Sequence, residues 1–223
     1  MDAAAISERA RQVLAEIPPG VAVVAAAKTR TPEEIRAVLS AGITVIGENY
    51  VQEAAAAQAA VGRAAAEWHL IGHLQRNKAK DAVRLFDLIH TVDSERLGEA
   101  LDAASRAVGR VTPVLIEVNS AREPQKSGAL PEDVPDLVRA LDRLSSLRVA
   151  GLMTMGSLVA DAEALRRAFR ETRRLFDELK RDALARAKME ILSMGMSDSY
   201  RIAIEEKATM VRIGTALFGP REV

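Results

Sequence analysis

The fold is decided by residues 21–47, which read VAVVAAAKTRTPEEIRAVLSAGITVIG. Two short apolar runs, Val21–Ala27 and Ile43–Gly47, flank an amphipathic segment. That segment opens with Thr31–Glu34, which places a capping hydroxyl, a proline and two acids where a helix begins. Apolar runs without polar alternation are typical of strands buried on both faces of a parallel sheet. The stretch therefore predicts a strand–helix–strand unit.

The same alternation continues along the chain. The other apolar runs are Trp68–Ile71, Leu88–Thr91, Val114–Val118, Val149–Met153, Met189–Leu192 and Met210–Ile213. Helix signals lie between them at Leu130–Asp133 and Asp161–Lys180, and residues 3–16 predict a helix before the first strand. Eight strands separated by helices favour an α/β protein, a (β/α)8 TIM barrel with an extra N-terminal helix. An open doubly wound sheet is the alternative, but the sequence lacks its dinucleotide-binding and P-loop motifs.

Composition narrows the class of protein. The chain has 223 residues, 31 Lys+Arg, 31 Asp+Glu, three His, no Cys and 48% apolar residues. No linker divides it, so we expect one domain over residues 1–223. Zero net charge argues against binding to nucleic acid, and the lack of cysteine excludes disulfides and thiolate chemistry. No stretch is apolar enough to span a membrane and no secretory signal is visible, which predicts a cytoplasmic protein.

Candidate functional residues follow the predicted strands, because barrels carry their sites where strands end. Lys28 comes directly after the first strand. It is either an ordinary surface lysine or a desolvated amine able to form a Schiff base. Glycine-containing turns at Ser193–Ser197 and Arg212–Thr215 follow the last two strands and suit a phosphate group, although each is also compatible with a plain turn. One phosphorylated aldehyde, such as pyridoxal phosphate (PLP), would use all three.

The histidines favour no metal site. His69 and His73 are four residues apart, but the sequence between them reads as the end of a strand, so they do not share a helical face. His90 lies in a strand-like run and is predicted to be a hydrogen-bonded core residue.

Longer motifs resemble a known family. They are AAKTR at 26–30, GENYVQE at 47–53, WHLIGHLQRNK at 68–78, KSG at 126–128, GLMTM at 151–155, LSMGMS at 192–197 and VRIGTALFG at 211–219. With these motifs the sequence resembles the YggS/PROSC family of pyridoxal phosphate homeostasis proteins, which is related in fold to the N-terminal barrel of alanine racemase. The resemblance covers nearly the whole chain.

The resemblance implies a role for each matching position. Lys28 would hold PLP covalently as an internal aldimine, and Arg212 would face the pyridine nitrogen. The positions implied to bind PLP are Lys28, Asn49, Ser197, Arg212, Gly214 and Thr215, of which Ser197, Gly214 and Thr215 match the phosphate-binding positions and Asn49 a position near the ring 3-oxygen. No metal is implied.

The resemblance also implies a function without substantial catalysis: holding PLP and delivering it to apo-enzymes. An arginine at the ring nitrogen donates but cannot accept, so the ring stays unprotonated and is a poorer electron sink. Racemases take a tyrosine base from a second domain, which this chain is expected to lack, and neither Tyr50 nor Tyr200 matches that base. Without that domain we expect a monomer. A weak PLP-dependent amino-acid racemase is the alternative.

Four positions depart from the family pattern. Serine is frequent before the lysine, where this chain has Ala27, and proline is frequent at the position of His73. Aspartate is usual at the position of Ser199, and a glycine before the last strand is replaced around Lys207. These changes leave the aldimine lysine and the phosphate turns intact, but they bear on cofactor affinity and on packing after Ser197.

Overall fold

Eight parallel strands close into a barrel in the order β1 to β8, in a computed structural model that describes residues 2–156 and 161–220. The strands are β1 Ala22–Ala26, β2 Val45–Glu48, β3 Glu67–Leu70, β4 Leu88–Val92, β5 Thr112–Glu117, β6 Leu147–Thr154, β7 Ile191–Met194 and β8 Met210–Ile213. Strand β1 pairs with both β2 and β8, which completes the ring. The predicted (β/α)8 barrel is confirmed.

Helices cover the outside of this barrel. They are α1 Ala3–Glu16, α2 Pro32–Ser40, α3 Val51–Val61, α4 Ala79–Leu85, α5 Glu95–Ala107, α6 Val134–Leu141, α7 Ala162–Leu179, α8 Tyr200–Glu205 and α9 Thr215–Phe218. Within the described ranges, no helix combines the length and the apolar character needed to cross a bilayer.

The predicted N-terminal helix is present and packs on the barrel's helical layer. Asp2 caps α1 by accepting a hydrogen bond from the N–H of Ala4 at 3.1 Å. Ser7 Oγ donates to the carbonyl of Ala37 in α2 at 2.9 Å. Arg9 Nε donates to the carbonyl of Leu217 in α9 at 2.9 Å. Helix α1 thus joins α2 to α9, the helices beside the strands where the barrel closes.

Capping explains where α2 begins. The hydroxyl of Thr31 accepts from the N–H of Glu34 at 3.3 Å, and the Glu34 carboxylate accepts from the N–H of Thr31 at 2.9 Å. This reciprocal pair is a capping box, which satisfies two of the donors that a helix start leaves free. Helix α7 begins as predicted, with Asp161 accepting from the N–H of Glu163 at 3.0 Å.

Helix α6 begins later than predicted. The sequence put its start at Leu130–Asp133, whereas the helix begins at Val134. The N–H of Asp133 donates to the carbonyl of Leu130 at 2.9 Å, so residues 130–133 form a separate turn. Pro135 lies in the first helical turn, where its missing N–H costs no hydrogen bond. The predicted start was wrong because it took Pro131, and not Pro135, as the proline of the first helical turn.

The core has two layers. The outer layer lies between strands and helices and includes Trp68, Phe86, Phe169 and Phe218, all fully buried. The inner layer lies inside the barrel and is formed by Val24, Val45, Leu88, Leu115, Ala150, Met153 and Met210. Side chains alternate between the two faces of a strand. The residue two positions after each of these inner-layer residues in the same strand therefore also points into the barrel.

Strand β7 is displaced from its predicted range, Met189–Leu192, to Ile191–Met194. Gly151 of β6 has φ +153°, and a Cβ there would lie 1.8 Å from the carbonyl oxygen of Ile191. The two backbones therefore approach too closely for any other residue. Before this point the N–H of Glu190 donates to the carbonyl of Ala150 at 3.0 Å, outside the regular ladder.

Lys207, one of the departures from the family pattern, lies in the turn before β8 with φ +68°. This left-handed conformation favours glycine, because a Cβ crowds the neighbouring carbonyl. The glycine that relatives commonly carry near this turn thus has a conformational reason, and this chain adopts the conformation with a lysine.

We predict that Lys207→Gly raises the free energy of unfolding by roughly 0.5 kcal/mol, since relief of backbone strain exceeds the added entropy of the unfolded chain. Lys80→Gly is the matched control: Lys80 is also solvent-exposed but lies in α4, where glycine costs about 1 kcal/mol. Urea denaturation measures both. Destabilisation of both variants by the same amount would contradict the account.

Candidate functional site

Lys28 presents an accessible amine at the carboxyl end of the barrel. It lies two residues after β1 and is half-buried. Its Nζ donates to the Tyr50 hydroxyl at 3.4 Å and lies 5.0 Å from the centroid of that ring. This is its one hydrogen bond to the described part of the chain, and it is long. The amine is therefore held over the ring without being neutralised by a carboxylate.

A cluster of N–H donors lies beside the first strand. The N–H groups of Gly214 and Ala216 both donate to Ser197 Oγ, at 3.1 and 3.2 Å. Thr215 stands between them with an exposed side chain. A Cβ on Gly214 would be 3.6 Å from Ala26 of β1, so this turn adjoins the strand that leads to the lysine. Two N–H groups that converge on one oxygen form the arrangement that binds a phosphate oxygen.

Arg212 lies inside the barrel on β8 and is 4% exposed. Its Nη1 donates to the carbonyl of Ser193 at 3.0 Å and to Ser193 Oγ at 2.7 Å. Its Nη2 donates to the carbonyl of Thr154 at 2.9 Å. Three of its five N–H bonds are used in this way. The other two, on Nε and Nη2, have no partner within residues 2–156 and 161–220.

The guanidinium keeps its charge despite its burial. Desolvation lowers the pKa of Arg212 to about 10, and the nearby Glu117 opposes this effect. A pKa of about 10 lies well above neutrality, so the side chain is a cation under physiological conditions.

Asn49 lies at the mouth of the barrel next to Tyr50, the residue that Lys28 contacts. It follows β2, is half-buried and lines a cavity of about 280 Å³ together with Thr91, Glu117 and Thr154. Of the six predicted site residues, the described lining of this cavity includes Asn49 alone. Thr154 connects the two regions, because its carbonyl accepts from Arg212.

Comparison with known proteins identifies the family. The family model of the alanine racemase N-terminal domain matches residues 1–222. The pyridoxal phosphate homeostasis protein of Pseudomonas aeruginosa is 38% identical over 219 residues, which cover 98% of this chain and 93% of that protein. The chain belongs to the family of pyridoxal phosphate homeostasis proteins.

Solved structures agree with this assignment. PipY of Synechococcus elongatus, solved with PLP bound, superposes with a TM-score of 0.89 at 36% identity, covering 96% of this chain and 100% of PipY. An alanine racemase of Clostridium difficile superposes with a TM-score of 0.83 at 14% identity. This chain covers 57% of that racemase. At such low identity the likeness shows the fold alone.

Sequence reasoning on this family member missed Tyr50 and Glu117. Tyr50 does not match the racemase base, yet its hydroxyl is the polar group that the Lys28 amine contacts. Glu117 ends β5 and points into the barrel beside the cavity. Its position at the end of a strand, like that of Lys28, was the available signal.

Glu117 is a buried carboxyl with an unused oxygen. It is 8% exposed, and its Oε2 has no hydrogen-bond partner within the described residues. Burial raises the pKa of Glu117 to about 7; Asp93 also raises it, and the cation of Arg212 lowers it. A carboxyl that is partly protonated near neutral pH therefore lines the cavity next to the buried guanidinium.

The histidines lie where strand patterning placed them. His90 is fully buried in β4 with its Nε2 3.0 Å from His69 Nδ1, which confirms the prediction of a hydrogen-bonded core residue. His73 lies on the exposed loop after β3, with its Nδ1 3.4 Å from Ser127 Oγ.

Two of the remaining departures from the family pattern have visible contacts. Ser199 is buried, and its hydroxyl accepts from the N–H of Met196 at 3.0 Å, which closes the turn between β7 and α8. Ala27 is fully buried before the lysine, and its N–H donates to the carbonyl of Gly47 at 2.8 Å. The turn after β7 is thus closed with Ser199 where relatives usually carry aspartate.

The raised pKa of Glu117 predicts a pH-dependent stability. Unfolding lowers this pKa from about 7 to the usual 4.5. As pH rises between these values, the unfolded state has lost its proton while the folded state still holds it, so the free energy of unfolding falls. Relative to Glu117→Gln, we expect the free energy of unfolding of the wild type to fall by at most about 3 kcal/mol across this pH window and to fall no further above it. Denaturant titrations at each pH measure the difference.

Glu132→Gln is the control with the opposite sign. Glu132 is exposed, and its hydrogen bond with Arg122 lowers its pKa. The free energy of unfolding of the wild type should therefore rise slightly relative to this variant as pH rises through the usual carboxyl range. A Glu117→Gln difference that is flat from pH about 4 to 8 would contradict the buried, partly protonated state.

Proposed function

We propose that this protein binds PLP and acts in its homeostasis, with residues 1–223 as one PLP-binding unit and Lys28 as the covalent anchor. The observation that carries the proposal is the placement of an accessible amine, converging N–H donors and a buried cation on the adjacent strands β1 and β8. An aldehyde, a phosphate and a ring nitrogen need these three partners. The name of the Pseudomonas relative and the PLP bound to PipY support the same ligand.

The phosphate group fits the turn after β8. Gly214 and Ala216 direct their N–H groups at one oxygen, Ser197 Oγ, at 3.1 and 3.2 Å, and in the proposed complex a phosphate oxygen takes the place of this hydroxyl as their acceptor. In the proposed complex, Ser197 and Thr215 add hydroxyl donors to the same anion. Because a phosphate oxygen is anionic, hydrogen bonds from these uncharged donors are charge-assisted and stronger than those between neutral groups.

The amine and the guanidinium fit the rest of the cofactor. Lys28 has one long hydrogen bond to give up when its nitrogen forms a Schiff base, the internal aldimine implied by the family resemblance. Among the described residues Arg212 has no partner for two of its N–H donors, and one of them can bind the pyridine nitrogen. Asn49 offers an amide near the ring 3-oxygen.

The charge of Arg212 bears on catalysis. Bound PLP supplies an electron sink when its ring nitrogen is protonated. Arg212 donates to that nitrogen and cannot give up its proton at neutral pH, because its pKa stays near 10. We therefore propose that this monomeric, cytoplasmic protein holds PLP and delivers it to apo-enzymes without substantial catalysis.

A weak amino-acid racemase is the second candidate. It is favoured by one specific contact, the 3.4 Å distance between the Tyr50 hydroxyl and Lys28 Nζ. A phenol beside the lysine is the type of group that moves a proton at a substrate's Cα. Incubation of the PLP-loaded protein with L-alanine and a chiral assay for D-alanine separates the two functions: turnover that Tyr50→Phe abolishes establishes the racemase.

We predict that borohydride reduction of the PLP-loaded protein fixes one phosphopyridoxyl group on the peptide containing Lys28, since reduction traps the imine nitrogen. Lys28→Ala should lose the label and the associated absorbance. Lys78→Ala is the matched control, because Lys78 is also half-buried and lines a cavity next to Tyr50. It should label like the wild type. Label on any other peptide of the wild type, with Lys28 unmodified, would disprove the anchor.

A further inference from the structure

A continuous chain of hydrogen-bonding side chains crosses the inside of the barrel and ends at Arg212. Arg212 Nη1 lies 2.7 Å from Ser193 Oγ, which lies 3.3 Å from His90 Nδ1. His90 Nε2 lies 3.0 Å from His69 Nδ1, and His69 Nε2 lies 2.8 Å from the carboxylate of Glu67. Strands β4 and β7 lie three places apart in the ring, so the contact between His90 and Ser193 spans the barrel interior.

Only one distribution of protons satisfies every member of this chain. A guanidinium only donates, so Ser193 Oγ accepts from Arg212 and its hydroxyl proton goes to His90 Nδ1. His90 then carries its own proton on Nε2 and donates it to His69. His69 in turn carries its proton on Nε2 and donates to Glu67. Every donor therefore points away from Arg212 and towards the carboxylate.

The reverse arrangement is unfavourable. A proton on His90 Nδ1 would leave the Ser193 hydroxyl proton without an acceptor in the described residues, at a site where both side chains are fully buried. His69 would then need both ring protons, which puts a second cation in the chain that already contains Arg212. Burial, and after it the positive charge of Arg212, lowers the pKa of His90 well below its usual value, so this ring is neutral.

The two ends of the chain lie in different environments. The Glu67 side chain is 55% exposed at the start of β3, while His69 is 1% exposed and His90 is fully buried. A hydrogen bond from His69 lowers the pKa of Glu67, so this carboxylate is ionised at neutral pH. A surface anion at the base of the barrel is thus connected through neutral groups to a buried cation at the mouth.

We propose that Glu67, His69, His90 and Ser193 are positioning residues that hold the charge and the orientation of Arg212. The proposal rests on the proposed function, in which Arg212 donates to the pyridine nitrogen. Ser193 and Thr154 accept hydrogen bonds from three N–H groups of the guanidinium. The hydrogen-bonded side chains between Ser193 and the distant carboxylate orient the Ser193 hydroxyl so that it accepts from Arg212. The two free N–H donors are thereby held in one orientation before the ligand arrives.

Nitrogen-15 NMR of the PLP-free protein tests the proton arrangement, and the sequence has only three histidines to assign. His73→Gln identifies the exposed residue by the loss of its signals. We expect His69 and His90 to be neutral with the proton on Nε2 at neutral pH, and Ser193→Ala to shift the nitrogen resonances of His90 and Arg212. A proton on His90 Nδ1, or on both nitrogens of His69, would overturn the proposal.

Glu67→Gln tests the remote carboxylate, with Glu190→Gln as its matched control. Glu190 precedes β7 at the same end of the barrel, is 58% exposed against 55% for Glu67, and pairs with Arg148. We expect Glu67→Gln to shift the His90 and Arg212 resonances and to weaken PLP binding roughly threefold, and Ser193→Ala to weaken it roughly tenfold. Glu190→Gln should change neither. Circular dichroism confirms that each variant is folded.

Two results would contradict the proposal. One is equal behaviour of Glu67→Gln and Glu190→Gln in both measurements. The other is Ser193→Ala binding PLP as tightly as the wild type. If the wild type binds no PLP at all, the proposed function is wrong, whereas the NMR of the PLP-free protein still decides whether the chain orders Arg212.

Discussion

The buried guanidinium of Arg212 is the constraint on which the upper half of this barrel depends. A cation inside a protein is tolerated only when acceptors surround it. Here the carbonyls of Thr154 and Ser193 and the Ser193 hydroxyl supply them, so β6 and β7 are fixed relative to β8. The interior changes at this level from an apolar layer, represented by Val24 and Leu115, to polar groups.

The ligand groups follow from that arrangement. Since β8 carries Arg212 and leads directly into the turn at Gly214, a molecule bound to both must lie along the end of this strand. Strand β1 is its neighbour in the ring and leads to Lys28. The proposed ligand therefore needs two anchors from one strand end and a third from the next. Glu117, across the mouth, adds a carboxyl that titrates near neutrality beside the same cation.

Local sequence patterns were sufficient for the barrel, and they placed part of the candidate site at its strand ends. Apolar runs placed all eight strands, and the TPEE cap placed α2, because these signals are contained in a few adjacent residues. The start of β7 was wrong by two residues, since the close approach of Gly151 to Ile191 is a contact between strands. The hydrogen bond between His90 and Ser193 joins residues 103 apart. A periodic pattern in the sequence does not predict such a contact. The hydrogen-bonded side chains that lead to Arg212 are therefore visible only in the closed barrel.

The central claim is that one ligand connects the lysine, the buried arginine and the phosphate turn. A crystal structure of the protein grown with PLP measures this directly. The account predicts continuous density from Lys28 Nζ to the cofactor, the pyridine nitrogen at Arg212 and the phosphate at the N–H groups of Gly214 and Ala216. A cofactor bound elsewhere, with Lys28 unmodified and Arg212 contacting only Ser193 and Thr154, would contradict it.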